Sequence, residues 1–438
     1  MPDQKIFCNV PWTNTHIYWD GSFGMCCSEK RKPHNDSTKY NIKNYTVVQW
    51  YNSDPMKDVR TLMHGDQRLS SCSGCYHEEA HGYESRRVKE NFKSVIFTEQ
   101  AFARSYHQSP MRDAFDASKE TGYTERKPID WHIDLGNECN LACKMCNPNA
   151  SSKISSLFTK WKLIESTANK NWTADQTSWE NFKTSIIETP NLNRMHFMGG
   201  EPLLSKRFHE LLDFLLEQNR QGMSISFVTN GTMLDYELVD KLKKFRSCDI
   251  EVSLESIHEN NHYIRQGSVT EEVIKNIQWL IAQQTDTFHI VLRSVPQLFN
   301  VNNYDQYLRW AWANNLIVQG IPLTDPAYLQ ICVLPIGIRK QFIPKYKKLY
   351  EELSANITRQ TITTGRNVKN LAQSLARECS AIISMLEAPE PDNVEDLRKE
   401  LVQWMLRWDT EFKLDACKVF PEYREFLESY GYQIQHAN

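Results

Sequence analysis

The sequence predicts an α/β fold: a partial (β/α)6 TIM-like barrel between a small N-terminal α+β domain and a helical C-terminal region. Between residues 128 and 335, short strand-like runs alternate with stretches whose apolar residues recur at helical spacing. Such alternation is typical of parallel βαβ units. Eight of the twelve cysteines lie in the first third of the chain, and residues 336–438 show helical spacing alone.

The domain boundaries follow these changes of pattern. At about 100–200 residues per domain, a chain of 438 residues is long enough for two or three units. We predict an N-terminal domain at 1–90, a connecting segment at 91–127, the barrel at 128–335 and the helical region at 336–438.

Composition excludes several classes of protein. Hydrophobic residues make up 40% of the chain and charged residues 24%, as in ordinary globular proteins. A net charge of −3 gives no indication of a nucleic-acid partner. The N-terminus lacks the pattern of a secretory signal, and no apolar run approaches the ~20 residues of a membrane span. We therefore expect a cytoplasmic protein whose cysteines bind metal rather than form disulfides.

The N-terminal domain contains a predicted hairpin and a predicted helix. THIYWDGSFGMCC reads as the hairpin, with Ile17 and Trp19 on one strand face and Asp20-Gly21 as a two-residue turn. The helix is predicted over Pro55–Met63, with Asp54 as its N-cap and proline in its first position.

Six strands are predicted for the barrel, and chemistry is expected at their carboxyl ends. The C-terminal region should contain three amphipathic helices, with the breaker EAPEPDN between the last two. The strand candidates are Trp131–Leu135, Arg194–Met198, Ser224–Thr229, Asp249–Leu254, Phe288–Val295 and Leu316–Ile321.

Three cysteines follow the first of these strands in a C-x3-C-x2-C arrangement: Cys139, Cys143 and Cys146. They lie on a loop between a strand and a helix. Three thiolates at this spacing can bind three irons of a [4Fe–4S] cube and leave the fourth iron open to a small molecule. A structural zinc site and free core thiols are the alternatives that the spacing leaves open.

This motif, directly after a first barrel strand, resembles the signature of the radical S-adenosylmethionine (SAM) superfamily. The resemblance implies that the open iron binds the amino and carboxylate groups of SAM. It also implies that the reduced cluster cleaves SAM to a 5′-deoxyadenosyl radical, which removes a hydrogen atom from the substrate.

The resemblance extends to the ends of later strands. Gly199, Gly200 and Glu201 are similar to the family's GGE motif, which contacts the SAM amino group. Asn230 stands where the family faces the active site. Ser253 and Glu255 resemble the residues that contact the ribose hydroxyls, and Arg265 resembles the arginine that pairs with the SAM carboxylate. Read without the resemblance, these residues fit ordinary turns and, for Arg265, a surface salt bridge.

A second cysteine set lies in the N-terminal domain: Cys8, Cys26 or Cys27, Cys72 and Cys75. Its spacing resembles the twitch domain, a short relative of the SPASM domain that holds an auxiliary iron–sulfur cluster. The family spacing favours Cys26 over Cys27. In this chain the module precedes the barrel, whereas in many relatives it follows the barrel. The sequence therefore leaves open how the module docks on the barrel. A zinc site with four cysteine ligands is the alternative.

Five other residues have simple structural interpretations. Arg86, Arg87 and Lys89 are expected on a solvated face, with contact to a substrate anion as the minority interpretation. Cys379 and Cys417 lack partners at ligand spacing and are expected to be core thiols.

Together these features predict a radical SAM enzyme with two [4Fe–4S] clusters and SAM as cofactors. If four cysteines hold the second cluster, it can accept an electron and make the net reaction an oxidation of a small polyol or amino sugar. Crosslinking or epimerisation of a peptide is the alternative reaction, and a metal-stabilised binding protein is the alternative outside enzymes. The expected partners are a small-molecule or peptide substrate and an electron donor such as flavodoxin or ferredoxin, with no nucleic acid and no membrane.

Overall fold

The structure is a computed structural model that describes residues 7–29, 39–80, 85–91, 110–165, 171–357 and 368–434. By packing, the chain divides into two compact units, and the chain passes between them several times. The predicted domain boundaries are not tested by this division and stay predictions. Residues 92–109 of the connecting segment predicted at 91–127 lie outside the described residues. Unit 1 comprises residues 1–139, 148–227 and 244–247, and unit 2 comprises residues 140–147, 228–243 and 248–438.

Unit 1 contains a sheet whose strands have the order β6-β5-β3-β1-β2. Strands β1, β3, β5 and β6 are parallel, while β2 runs antiparallel to β1. The strands are β1 (Asn14–Ile17), β2 (Phe23–Gly24), β3 (Asp130–Asp134), β5 (Arg194–Met198) and β6 (Ser224–Thr229), of which the first four residues of β6 belong to this unit.

The N-terminal hairpin is confirmed, but its turn differs from the prediction. Ile17 pairs with Phe23, and the amide of Tyr18 donates to the carbonyl of Ser22 at 2.9 Å. Three residues therefore form the loop instead of two. Trp19 lies in this loop, because β1 ends at Ile17, so its predicted position on a strand face was wrong.

The same hairpin shows how the N-terminal residues join the predicted barrel strands. Strand β1 pairs in parallel with β3, with Asn14–Ile17 opposite Asp130–Ile133. The sheet of unit 1 is thus extended by two strands that precede the barrel in sequence. This pairing answers the question of docking that the cysteine spacing left open.

The two faces of β3 differ in character. Trp131 and Ile133 are completely buried, and the Trp131 ring lies 6.0 Å from that of Phe182 in the helix Gln176–Glu188. Because side chains alternate along a strand, the opposite face carries Asp130, His132 and Asp134. One face of this sheet therefore packs on helices, and the other presents polar side chains.

The helices of unit 1 include the one predicted near Pro55, which begins at Asp54 and has Ser53 as its N-cap. Asp54 was therefore wrongly predicted as the cap and is the first helical residue. Residues 86–91 are also helical. The helices are α1 (Val47–Tyr51), α2 (Asp54–His64), α3 (Ser73–Ala80), α4 (Pro110–Ala117), α5 (Ser152–Lys160), α6 (Gln176–Glu188) and α7 (Lys206–Glu217).

Unit 2 contains three parallel strands in the order β10-β9-β7 and a separate antiparallel pair, β4 and β8. The six strands predicted from the sequence are all present, within two residues of their predicted bounds, and the α/β class is confirmed. The strands are β4 (Ala142–Cys143), β7 (Ser247–Ser253), β8 (Arg265–Gln266), β9 (Phe288–Ser294) and β10 (Ile317–Gly320).

The predicted C-terminal helices are present, and the break at EAPEPDN separates the last two long ones. Among the described residues, no helix combines the length and apolar character needed to cross a bilayer. The helices of this unit are α8 (Tyr236–Leu242), α9 (Asn260–Ile264), α10 (Thr270–Ile281), α11 (Tyr304–Ala313), α12 (Ile336–Ile357), α13 (Val368–Glu387), α14 (Val394–Phe412), α15 (Ala416–Val419) and α16 (Arg424–Ser429).

Candidate cofactor sites

The four predicted auxiliary ligands line one cavity in unit 1. Cys8, Cys26, Cys72 and Cys75 all contribute to its wall, while Cys27 does not. The cavity contains about 380 Å³ of empty space, part of it open to solvent. Residues far apart in sequence thus bring four thiols to one void, which is a donor set suited to an iron–sulfur cluster.

Burial keeps most of these thiols neutral in the absence of a cation. It raises the pKa of Cys8 and of Cys72 to about 12, and it also raises the pKa of Cys75. Metal binding requires thiolates, so a bound cluster would release these protons and compensate the buried charge. The residues present fit a cluster with four cysteine ligands.

Cys27 does not line this cavity, and its sulfur lies beside two basic side chains. A hydrogen bond from Cys26 lowers the pKa of Cys27 and raises that of Cys26, and Arg86 and His132 further stabilise the Cys27 thiolate. Arg86 donates to the Cys27 sulfur and, at 2.9 Å, to Nε2 of His132. Arg86 was therefore wrongly predicted on a solvated face.

Arg87 is also engaged inside unit 1, contrary to the prediction of a solvated face, whereas Lys89 is exposed as expected. The Arg87 guanidinium forms an ion pair with Glu79 and donates to the carbonyl of Phe7 at 2.9 Å. Glu79 follows the predicted ligand Cys75, and Phe7 precedes Cys8. The Arg87–Glu79 pair therefore connects two segments that carry predicted ligands.

The three-cysteine loop begins in unit 1. The amide of Cys139 donates to Oγ of Ser152 at 3.1 Å, and the amide of Ser152 donates to the carbonyl of Asn137 at 2.6 Å. The side-chain amide of Asn137 donates to the carbonyl of Pro148 at 3.1 Å. These bonds connect the residues before the loop with the residues after it.

The GGE segment packs directly against the start of this loop. Gly199 and Gly200 have φ of +75° and +58°, a region that side chains disfavour. A Cβ on Gly200 would lie 2.2 Å from the carbonyl oxygen of Glu138. The amide of Glu201 donates to that same oxygen at 2.7 Å. The close approach that these glycines permit is therefore to the backbone beside Cys139.

The second half of the loop belongs to unit 2. Cys143 lies in β4 and pairs with Arg265 in β8, and the amide of Cys146 donates to the carbonyl of Cys143 at 3.0 Å. One terminal nitrogen of Arg265 lies 3.6 Å from the Cys143 sulfur. Arg265 thus lies beside a predicted cluster ligand, and its role as a SAM contact stays a prediction.

Glu255 and Arg265 are paired and buried. Arg265 donates twice to Oε1 of Glu255, at 2.5 and 3.1 Å. Oε2 accepts from the Ser294 hydroxyl at 3.1 Å and from the Val295 amide at 2.7 Å. Burial disfavours the charge of Arg265, but Glu255 and Cys143 outweigh it, and the net effect raises its pKa.

The remaining predicted SAM contacts also lie in unit 2. Asn230 donates to the side chain of Asn140 at 2.7 Å, and Asn140 donates to the Thr232 hydroxyl at 2.9 Å. Asn140 follows Cys139, so the Asn230 turn is bonded to the cysteine loop. Ser253 is buried at the end of β7.

A row of histidines is a feature that sequence reasoning missed. His16, His132 and His196 are partners in the pairing of β1, β3 and β5, and Ser226 continues the row on β6. Nδ1 of His196 lies 2.8 Å from the Ser226 hydroxyl, and Nε2 of His16 lies 3.2 Å from Asp134. The sequence signal that could have revealed this row is a histidine near the centre of each of the strands β1, β3 and β5.

The pKa values of His16 and His132, which are neighbours in this row, shift in opposite directions. Burial disfavours the imidazolium of His16, but Asp134 outweighs that effect and raises its pKa. Burial, and then Arg86, lowers the pKa of His132. On the polar face of the unit 1 sheet, the imidazolium form is therefore favoured at His16 and disfavoured at His132.

No disulfide joins any of the twelve cysteines, each of which lies at a described position. Within the part of the chain that the structure describes, no three His, Cys, Asp or Glu side chains form a compact group that could hold a metal ion. The predicted roles of the cysteines as cluster ligands, and of the strand-end residues as SAM contacts, stay predictions.

Several characterised proteins resemble parts of this chain. The 7,8-dihydro-6-hydroxymethylpterin dimethyltransferase of Methanocaldococcus jannaschii is 25% identical over 229 residues, covering 50% of this chain and 41% of that protein. The radical SAM cyclopropyl synthase TigE of Paramaledivibacter caminithermalis is 27% identical over 155 residues, covering 33% and 31%. The Fe-coproporphyrin III synthase of Methanosarcina barkeri is 39% identical over 144 residues, covering 32% and 30%. The chain spans less than half the length of each relative.

Two family descriptions match separate parts of the chain. Residues 133–295 match the radical SAM superfamily, and residues 8–76 match an iron–sulfur cluster-binding domain of the SPASM type. The first match confirms the predicted fold class and implies a [4Fe–4S] cluster and SAM, and the second implies auxiliary iron–sulfur binding. The chain therefore contains a radical SAM domain at residues 133–295, which is preceded by a SPASM-type iron–sulfur domain at residues 8–76.

Proposed function

We propose that this protein oxidises an unactivated C–H position of a small polar metabolite, of the polyol or amino-sugar class. When bound, the first cluster and SAM supply the radical that removes a hydrogen atom, and the second cluster supplies an acceptor for the remaining electron. Together, loss of one hydrogen atom, one electron and one proton converts a secondary alcohol into a ketone.

One observation carries the proposal: Cys8, Cys26, Cys72 and Cys75 line one cavity. Four cysteine ligands would leave no iron of the second cluster open to the substrate. Such a cluster suits electron transfer, which favours a net two-electron oxidation over direct binding of the substrate to iron.

The chain's own residues support a preorganised SAM site. Arg265 presents its guanidinium beside Cys143, and Glu255 fixes its orientation through two hydrogen bonds. A guanidinium held in this way can bind a carboxylate bidentately. Gly199 and Gly200 let the strand end close on the start of the cysteine loop.

Two findings support a polar small molecule as the substrate class. The polar face of the unit 1 sheet carries His16, His132, His196 and Ser226, which both donate and accept hydrogen bonds as hydroxyl groups require. The names of two relatives refer to a pterin and to an iron porphyrin, which are also small molecules. A low-potential one-electron donor, such as flavodoxin or ferredoxin, is the expected protein partner.

Anaerobic reconstitution followed by a label-transfer assay tests this function. We expect about eight irons and eight sulfides per chain, from two clusters of four. A panel of polyols and amino sugars deuterated at carbon should then yield one member that transfers deuterium to 5′-deoxyadenosine and accumulates as the ketone. Peptides carrying deuterium at Cα form the second panel.

The outcomes separate the three interpretations. Deuterium transfer from a peptide alone would replace the metabolite by a peptide substrate. Zinc at full occupancy, with no deoxyadenosine formed after reduction, would contradict the interpretation as an enzyme. The interpretation as a metal-stabilised binding protein would then remain. Two clusters with a redox-neutral product would keep the radical chemistry and overturn the oxidative role of the second cluster.

A further inference from the structure

A buried lysine lies inside the three-cysteine loop. Lys144 stands directly after Cys143 and two residues before Cys146, and its side chain is only 2% exposed. Its ammonium lies 4.0 Å from the centre of the Tyr263 ring and 5.1 Å from that of Trp408. An aromatic cage of this kind stabilises a cation that water cannot reach.

The counter-charge comes from the C-terminal region. Asp409, in α14, is completely buried, and its Oδ1 lies 3.5 Å from the Lys144 ammonium. Oδ2 accepts from the Tyr263 hydroxyl at 3.1 Å, from the Tyr432 hydroxyl at 2.6 Å and from the Ala416 amide at 3.0 Å.

A buried ion pair of this kind adds little net stability to a protein. Removing two charges from water costs about as much as their attraction returns, and apolar residues of similar size usually serve as well. A buried pair with every partner satisfied does, however, specify one arrangement of the segments that carry it. Here those segments are the cysteine loop and the chain from Trp408 to Tyr432.

The backbone reinforces the same arrangement. The amide of Lys144 donates to the carbonyl of Ile264 at 2.9 Å, and Cys143 pairs with Arg265 one residue further on. The lysine is therefore fixed at its backbone by β8 and at its ammonium by the C-terminal region. Cys143 and Cys146, which lie on either side of Lys144 in the loop, are therefore held in the same arrangement.

We propose that Asp409 is a positioning residue that acts through Lys144 to fix Cys143 and Cys146 in the geometry required for SAM binding. The C-terminal region then governs the catalytic loop, which lies more than 260 positions earlier in sequence. This inference rests on the proposed cluster at the three-cysteine loop.

Hydrogen exchange, EPR spectroscopy and thermal denaturation of five proteins test it. The proteins are the wild type, Asp409→Asn, Lys144→Met and the double variant, with Asp396→Asn on the exposed face of α14 as the matched control. The first measurement is hydrogen exchange of residues 140–147 in the apoprotein. The second is the EPR spectrum of the reduced, reconstituted protein with and without SAM, in which the auxiliary cluster serves as an internal standard.

We expect both single variants to exchange the loop at least about tenfold faster than the wild type, and to lose most of the SAM-induced change in the spectrum. The auxiliary signal should be unchanged. The double variant carries no unpaired buried charge, so it should regain thermal stability without regaining the response to SAM. Asp396→Asn should behave as the wild type.

Wild-type exchange and a normal SAM response in Asp409→Asn would overturn the inference. So would a double variant that recovers the SAM response together with stability, because the pair would then be structural only. The exchange measurement uses apoprotein, so wild-type exchange in Asp409→Asn overturns the inference even if no cluster binds, whereas a wild type that binds no cluster contradicts the proposed function. If Asp409→Asn does not fold, Tyr432→Phe removes one bond to Asp409 and should give a smaller effect in the same direction.

Discussion

Arg265 connects Glu255 to Cys143: it donates two hydrogen bonds to the carboxylate, at 2.5 and 3.1 Å, and lies 3.6 Å from the sulfur. An ionised carboxylate offers about four acceptor positions, and those of Glu255 are taken by the guanidinium, Ser294, Val295 and Asn300. Glu255 is therefore expected to act on SAM mainly by holding Arg265 in place.

Glu255→Gln should destabilise the protein and weaken SAM binding. Removing one partner of a buried pair leaves the other charge uncompensated, at a cost of about 3–5 kcal/mol. Urea denaturation of the apoprotein measures this loss. Glu352→Gln is the matched control, since its ion pair with Arg309 is partly exposed and should contribute at most about 1 kcal/mol. Equal losses in both variants would contradict the account of the buried pair.

Cys26→Ser and Cys27→Ser should differ although the two positions are adjacent. Cys26 lines the four-thiol cavity, whereas Cys27 faces Arg86 and His132. We expect Cys26→Ser to lose the second cluster, so that iron falls from about eight to about four per chain, and Cys27→Ser to keep it. Iron and sulfide analysis after reconstitution decides between them. The reverse result would assign Cys27 as the ligand.

His16 and His132 should titrate on opposite sides of the ordinary value of 6.5. Asp134 raises the pKa of His16, so its ion pair contributes fully below the unfolded pKa, and the contribution is lost as pH rises through the higher folded value. NMR of protein labelled at histidine nitrogens, with His16→Gln and His132→Gln for assignment, measures both. Asp134→Asn should lower the pKa of His16. A His16 that titrates below 6.5 would contradict this electrostatic picture.

Arg60→Met should unfold much of the N-terminal region of unit 1. The buried guanidinium donates to the carbonyls of Pro11, Gly122 and Tyr51 at 2.7–3.0 Å. Leaving these acceptors unpaired should cost at least about 3 kcal/mol. Thermal denaturation compares this variant with Arg68→Met, a control in which an exposed arginine is lost. A similar melting temperature for both would refute the role of Arg60.

The strands and long helices could be predicted because their signals are local. Alternating apolar residues located β3, β5 and β6 closely, and helical spacing located the C-terminal helices. The parallel pairing of β1 with β3 could not be predicted, because it joins residues over 110 positions apart and no local pattern selects that partner. The cap of α2 was misplaced by one residue because Ser53 and Asp54 are both good caps.

The sequence predicted which residues belong to the site better than it predicted which of them contact one another. Spacing located the four cysteines that line the cavity, but nothing in the sequence pairs Arg86 with Cys27, or Glu255 with Arg265. The histidine row went unnoticed because each histidine reads separately as a polar residue in a strand, and only the register aligns them.

The central claim is that Cys139, Cys143 and Cys146 hold a cluster that reductively cleaves SAM. Quantifying 5′-deoxyadenosine after anaerobic reconstitution and reduction tests it directly. The wild type should form it, Cys143→Ala should form none, and Cys75→Ala should retain some cleavage while losing turnover. Equal amounts from the wild type and Cys143→Ala, or none from the wild type with both clusters present, would contradict the claim.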